Sequence, residues 1–146
     1  MIIDELNKDI AKFMKEANKE NLTTLKMAKN AIQTEKINKN HDLSNDEVIA
    51  VLRKYIKQKN TDIEEYSKFN KDDVVASLKK EIELIDKYLP EEMSVDDINK
   101  GLDQIFDKVK PESIKDMGRL MKEANDLFGV NVDKALVSKL IKERLS

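Results

Sequence analysis

The sequence predicts an all-α protein, and its composition and its periodicity both indicate this fold class. Hydrophobic residues make up 40% of the 146 residues and charged residues 38%, with only 3 Gly and 2 Pro. This balance is typical of amphipathic helices with densely charged outer faces. Apolar residues also recur at intervals of three and four, as one buried face of a helix requires.

Four helix patterns occupy the N-terminal part of the chain. The first ends near Asn18, the second covers residues 22–38 and the fourth covers residues 72–89. Ser44 opens the third, because its hydroxyl can accept from the Glu47 backbone N–H while the Glu47 carboxylate reaches back to complete a capping box. The residues predicted to face inward along these helices are Ile3, Leu6, Ile10, Phe13, Met14, Ala17, Leu25, Ala28, Ile32, Val48, Leu52, Tyr55, Ile56, Ile63, Tyr66, Val75, Leu78, Ile82, Ile85 and Leu89.

The stretch YLPEEMSVDDI predicts a boundary between two subdomains. Pro90 disfavours helix for the preceding residue and has no N–H to continue the hydrogen-bond ladder. Ser94 and Asp97 then repeat the capping pattern at a new helix start. We therefore expect a helical N-terminal subdomain of roughly four helices at residues 1–90, and a compact three-helix C-terminal subdomain at residues 94–146.

The C-terminal part carries its own start and stop signals. Gly129 is expected to end the sixth helix, since glycine is favoured just after a helix terminus. Asp133 is expected to cap the seventh helix. The residues predicted to face inward along the last three helices are Ile98, Leu102, Ile105, Phe106, Ile114, Met117, Leu120, Met121, Leu136, Leu140 and Ile141.

Composition also limits the chemistry of the chain. With no Cys and a single His, His41, it can form no disulfide, thiolate nucleophile, Cys-based zinc site or His-rich metal site. Three glycines are too few for a phosphate-binding loop and a loop of the amidase kind. We expect no catalytic residues, no cofactor and no metal, and we assign no role to His41.

The chain contains no membrane-span pattern. No segment approaches the roughly 18 uninterrupted apolar residues that a span requires. The start, MIIDELNKD, lacks the basic and then apolar order of a signal peptide. These features predict a cytoplasmic protein that does not bind membranes.

Basic residues mark one candidate surface in the C-terminal part. The net charge of −2 and the excess of Lys over Arg, 24 to 3, argue against sequence-specific base readout but allow local basic patches. Lys115, Arg119 and Lys122 recur at i, i+4 and i+7, so they form either a phosphate-contacting ridge or a solvated helix face. Gly118 lies within the same predicted helix at a cost of about 1 kcal/mol relative to Ala. Close approach of a neighbouring helix, or of a nucleic-acid backbone, would explain it.

The third helix carries two further candidate sites. Arg53 and Lys57, one turn apart, are predicted to face outward as a second basic patch, which Glu64 on the same face dilutes. Lys59 is predicted to face inward, and an inward cation requires a partner. Glu35 on the inner side of the second helix is the predicted partner in a structural ion pair.

Several stretches taken together resemble the YqeY family over essentially the whole chain. They are YLPEEMSVDDI, DMGRLMKEA at 116–124, the ending VDKALVSKLIKERL, LTTLKMAKNAIQTEKI at 22–37 and KQK at 57–59. Two positions depart from the pattern, because Lys26 and Lys59 stand where the family resemblance implies Arg. Lysine keeps the charge but loses the bidentate geometry. The segment KEANDLF before Gly129 is also less basic than expected.

The family is similar in turn to the C-terminal region of the GatB subunit of tRNA-dependent amidotransferases. The resemblance implies a helical N-terminal part, a three-helix C-terminal part and a role in holding tRNA or assisting a tRNA-handling enzyme. It associates the chain with carbon–nitrogen ligase chemistry that uses glutamine as amide donor, although the residues provide no catalytic centre for it. The alternative is a helical protein-interaction adapter without RNA binding, and an independent hydrolase or ligase ranks third.

Overall fold

The computed structural model describes residues 1–146 as seven α-helices without strands, which confirms the all-α prediction. A single turn of 3-10 helix, Ile114–Asp116, precedes the sixth helix. The helices are α1 Ile2–Lys15, α2 Lys19–Lys39, α3 Asn45–Lys68, α4 Asp72–Asp86, α5 Val95–Val109, α6 Met117–Phe128 and α7 Lys134–Leu145. None of them combines the length and apolar character that crossing a membrane requires.

Side-chain caps begin three of the helices where the sequence predicts them. The Ser44 hydroxyl accepts from the Glu47 backbone N–H at 3.2 Å, and the Glu47 carboxylate accepts from the Ser44 N–H at 3.0 Å, which completes the capping box of α3. The Ser94 hydroxyl accepts at 3.1 Å from the Asp97 N–H at the start of α5. The Asp133 carboxylate accepts from the second residue of α7 at 2.9 Å.

Helix ends agree less well with the sequence prediction. Gly129 follows α6 with φ +66°, as predicted. However, α1 ends at Lys15 because Ala17 adopts a left-handed φ of +54°. Asn18 then caps α2 by accepting from the Asn21 N–H at 3.2 Å, so α2 begins three residues earlier than the predicted Leu22.

The chain divides into two compact units, Met1–Leu89 and Pro90–Ser146, and the predicted subdomains are compatible with this division. The N-terminal unit contains α1 to α4, with α3 packed against each of the other three helices. Its buried hydrophobic side chains are Ile2, Leu6, Leu25, Ala28, Ile32, Val48, Ile49, Leu52 and Ile85.

Three residues of the N-terminal unit predicted to face inward are exposed, and one of them, Ala17, lies just after the end of α1. Met14 at the end of α1 is 59% exposed, and Tyr66 in the last turns of α3 is 41% exposed. Phe69, between α3 and α4, is also exposed. Helical periodicity continues into these terminal turns, but the helices there extend past their packing neighbours.

The C-terminal unit builds its own core from α5, α6 and α7. The fully buried members of this core are Ile98, Leu102, Ile105, Leu120, Ala124, Phe128, Val132, Val137 and Ile141. The inward face of α7 therefore centres on Val137 and Ile141, while Leu136 and Leu140 pack at its edge. Ile114 was predicted to be buried but is 58% exposed, because it lies in the 3-10 turn before α6.

Candidate nucleic-acid interface

The predicted basic ridge lies at the start of α6. Lys115, Arg119 and Lys122 are all exposed. The prediction that they share one face of a single α-helix is wrong, because Lys115 belongs to the 3-10 turn and α6 begins two residues later. The Ser113 hydroxyl holds this turn by accepting from the Lys115 N–H at 3.3 Å. The three cations therefore form a basic cluster around a helix start instead of a straight ridge.

Gly118 lies inside this basic cluster with open space beside it. A Cβ atom added at Gly118 would meet no heavy atom within 4 Å. The interpretation that a neighbouring helix requires glycine here is therefore wrong. Gly118 is the second residue of α6, and it is exposed. Packing within the chain does not explain the choice of glycine at this position.

The tightly packed glycine of this unit is Gly101 in α5, which sequence reasoning missed. A Cβ atom at Gly101 would lie 2.3 Å from Cε1 of the buried Phe128 ring. One signal was present in the sequence. Gly101 lies three residues after Ile98 and four before Ile105, on the apolar stripe of α5.

Acidic groups border the basic cluster. The Asp116 carboxylate lies 3.7 Å from the Arg119 guanidinium and also accepts from the Glu112 backbone N–H at 2.9 Å. Residues 90–146 contain ten Lys and Arg against twelve Asp and Glu. The unit as a whole therefore has a small excess of acidic residues, and the basic cluster is a local feature at the start of α6.

The second predicted basic patch is reduced to one exposed cation. Lys57 is exposed, but Arg53 is half-buried, so the prediction that both face outward is wrong. Arg53 lies one turn from Ile49 and Ile56, at the edge of the inward stripe of α3. This patch offers less exposed positive charge than the start of α6.

Lys59 is buried as predicted, but its predicted partner is wrong. Its side chain is directed toward α4, where the ammonium group donates to the Glu81 carboxylate at 3.2 Å. The ammonium group also lies 4.6 Å from the centre of the Tyr55 ring. Glu35 on α2 instead borders a groove between α2 and α3.

The groove between α2 and α3 has a volume of about 550 Å³ and was not predicted. Its apolar part is made of Ala31 from α2 and of Ala50, Val51 and Tyr55 from α3. Small side chains at Ala31 and Ala50 leave the space open. The groove is therefore a concave, partly apolar surface of the N-terminal unit.

Charged side chains close the groove near the α2–α3 loop. The Lys39 ammonium group donates to the Glu47 carboxylate at 2.9 Å. The backbone N–H of Ser44 and the Lys39 ammonium group lower the pKa of Glu47 to about 2, and the bond to Glu47 raises the pKa of Lys39. The His41 imidazole lies 3.8 Å from the Glu47 carboxylate, a contact that the sequence did not reveal.

Tyr88, the first residue of the stretch YLPEEMSVDDI, contacts the first helix. Its hydroxyl donates to the Asp9 carboxylate of α1, and burial together with this carboxylate raises the pKa of Tyr88. The hydrogen bond ties the segment after α4 back to the first helix. The residues just before Pro90 are thus held by the N-terminal unit.

The fold and the surfaces define an all-α protein of two compact helical units, with a basic cluster on one unit and a mixed-charge groove on the other. The family model described as Yqey-like protein matches residues 3–145, so the chain belongs to the YqeY family. No curated protein matches the chain.

Proposed function

We propose that the chain is a tRNA-binding accessory module that holds RNA through the basic cluster of Lys115, Gly118, Arg119 and Lys122. One observation carries this proposal. Gly118 faces open space and lies in the sequence among three exposed cations, although no packing within the chain requires glycine there. The similarity of the family to the tail region of the GatB subunit supports the choice of tRNA.

The chemistry of the cluster fits an RNA backbone. Lys and Arg side chains neutralise phosphates without reading sequence, and the missing side chain of Gly118 allows a phosphate or ribose to approach the α6 backbone. A chain without Cys has no thiolate nucleophile, and three Gly are too few for a phosphate-binding loop and a loop of the amidase kind. In this proposal, carbon–nitrogen ligase chemistry with glutamine belongs to the enzyme that the module assists.

A titration of labelled bulk tRNA, followed by fluorescence anisotropy at low and at physiological salt, tests the proposal. If three phosphates are contacted, the logarithm of the binding constant should fall with the logarithm of salt concentration with a slope of about −2 to −3. Replacing Lys115, Arg119 and Lys122 by Glu should abolish binding.

The matched control changes three exposed lysines of the other unit. Replacing Lys79, Lys80 and Lys87 by Glu alters the net charge by the same amount and should leave most of the binding in place. An equal loss of tRNA affinity in both triple variants would show that binding depends on the overall charge of the chain and not on the basic cluster. Absence of binding by the unmodified chain at low salt would refute the proposal.

A second candidate function is a helical protein-interaction adapter that binds no RNA. It is favoured by the acidic balance of residues 90–146, ten basic residues against twelve acidic ones. The low-salt titration separates the two candidates, because an adapter shows no tRNA affinity under any salt condition. A pull-down would then identify its protein partner.

A further inference from the structure

We propose that the groove between α2 and α3 is the surface through which two copies of this chain associate. The groove exposes apolar side chains in a shape that a helical ridge can fill, since Ala31 and Ala50 are small and Val51 and Tyr55 form its apolar wall. Met27 lies one turn before Ala31 on α2 and is 50% exposed, so it extends the apolar stripe. This proposal does not depend on RNA binding.

The charged residues of the groove indicate that its binding partner is a second copy of the chain. Lys39 and Glu47 are bonded to each other and largely neutralise one another. The remaining charged groups of the lining are Glu35 on the α2 side and Lys54 on the α3 side. The two walls therefore carry opposite charges, and the groove presents no excess of either sign to a partner.

A surface of this kind is complementary to a copy of itself. A two-fold axis running along the groove brings the α2 wall of one copy against the α3 wall of the other. Glu35 of each copy then faces Lys54 of the other, so the same ion pair forms twice. The four helices α2 and α3 of both copies would form an antiparallel bundle around the alanines and Tyr55.

Sedimentation velocity of the full chain over a range of concentrations tests this interface. The unmodified chain should form dimers. Each single reversal, Glu35→Lys or Lys54→Glu, creates two like-charge contacts and should weaken dimerisation by at least about tenfold. The double variant should recover it, because the pair is restored with its signs exchanged.

Mixing the two single variants gives the sharpest result. In a mixed dimer, Lys at position 35 of one copy faces Glu at position 54 of the other, and the unchanged Lys54 faces the unchanged Glu35. An equimolar mixture should therefore dimerise more strongly than either variant alone. Lys57→Glu makes the same charge change as Lys54→Glu, but at an exposed position of α3 outside the groove, and it should have no effect on dimerisation.

Three results would overturn the proposal. They are a chain that stays monomeric at every concentration, a dimer insensitive to both reversals, and a mixture no more associated than its components. Ala50→Gln fills the apolar part of the groove without adding a charge or altering Glu35 or Lys54, and it should also produce monomers. Circular dichroism of every variant identifies a loss of association that is caused by unfolding, and association is then judged on the folded variants.

Discussion

Lys59 is the best-buried cation of the protein, with 8% of the residue exposed, and its partner determines how much stability a substitution costs. Lys59→Met would keep the aliphatic packing and leave the Glu81 carboxylate without its bond. Because the Glu81 side chain is 23% exposed, water can replace part of the lost interaction. We expect a loss of about 1–3 kcal/mol, below that of a fully buried pair. Urea unfolding would measure it.

Glu35 provides the matched control for this pair. At protein concentrations at which the chain is monomeric, Glu35→Gln should leave the free energy of unfolding within about 0.5 kcal/mol, as for most surface changes. Combining Lys59→Met with Glu81→Gln should cost less than the sum of the two single changes, because both remove the same bond. A larger loss from Glu35→Gln than from Glu81→Gln would contradict the assignment of Glu81 as the partner.

The two glycines Gly101 and Gly118 should respond oppositely to the same substitution. Gly101→Ala places a Cβ 2.3 Å from the Phe128 ring, and since that ring is buried, we expect a loss of about 1–3 kcal/mol from overpacking. Gly118→Ala adds a methyl group in open space and should be neutral or stabilise α6 by up to about 1 kcal/mol. Thermal unfolding of both variants measures the difference.

Gly118→Ala also separates folding from RNA binding. If the RNA backbone approaches α6 at this glycine, the variant should fold at least as well as the unmodified chain and bind tRNA several-fold more weakly. Unchanged affinity would remove Gly118 from the proposed interface, even if the lysines still contributed.

Sequence reasoning succeeded for residues whose environment is local and failed where the environment is set by distant segments. The inward orientation of Lys59 followed from its spacing to Tyr55 and Ile63, which a single helix determines. Whether Lys59 pairs with Glu35 or with Glu81 depends on how α2 and α4 pack around α3. The spacing of residues along the chain does not determine this packing. The close contact of Gly101 with Phe128 is a distant packing contact of the same type.

At the scale of the elements, the capping box of α3 makes stability depend on pH. The ordinary pKa of Glu47 is 4.5, and the fold lowers it to about 2. The stabilisation is therefore complete above about pH 4.5 and is lost as the pH falls toward 2. In Glu47→Gln, which cannot ionise, the loss of thermal stability between these two pH values should be smaller than in the unmodified chain.

Ser44→Ala isolates the other half of the capping box. Removing its hydroxyl leaves the Glu47 backbone N–H without its acceptor and should cost about 1 kcal/mol. Ser113→Ala removes a comparable acceptor from the 3-10 turn before α6, where less of the core depends on it, and should cost less. If Ser44→Ala left the free energy of unfolding in urea unchanged, this would contradict the role of the cap.

The start positions of helices were more predictable than their end positions, for a physical reason. A cap such as that of Ser44, Ser94 or Asp133 is completed within three residues, so the sequence contains all of it. The end of α1 depends on the left-handed backbone at Ala17, a residue type that seldom adopts it. The 3-10 turn that contains Lys115 was not predicted either, because the apolar spacing typical of a helix continues through it without a break.

At the scale of the whole molecule, the basic cluster of α6 was found from charge spacing, but the α2–α3 groove was not. Like charges three and four residues apart can be recognised in the sequence, even though Lys115 lies in the 3-10 turn before α6. The groove exists because Ala31 on one helix and Ala50 on another leave space between them, and neither residue is unusual by itself. A concave surface formed between two helices therefore cannot be predicted from the residue pattern of either helix alone.

The division into Met1–Leu89 and Pro90–Ser146 leads to a last prediction. Residues 90–146 contain a complete apolar core of their own, with Leu102, Leu120 and Ile141 fully buried. We expect this fragment to fold by itself with a stability of about 3–5 kcal/mol, because a domain of this size buries a limited apolar area. Leu120→Ala, at a typical cost of about 2–5 kcal/mol, should unfold most of it. Dispersed amide resonances and cooperative urea unfolding would confirm an autonomous unit, whereas a disordered fragment would show that its core forms only in the full chain.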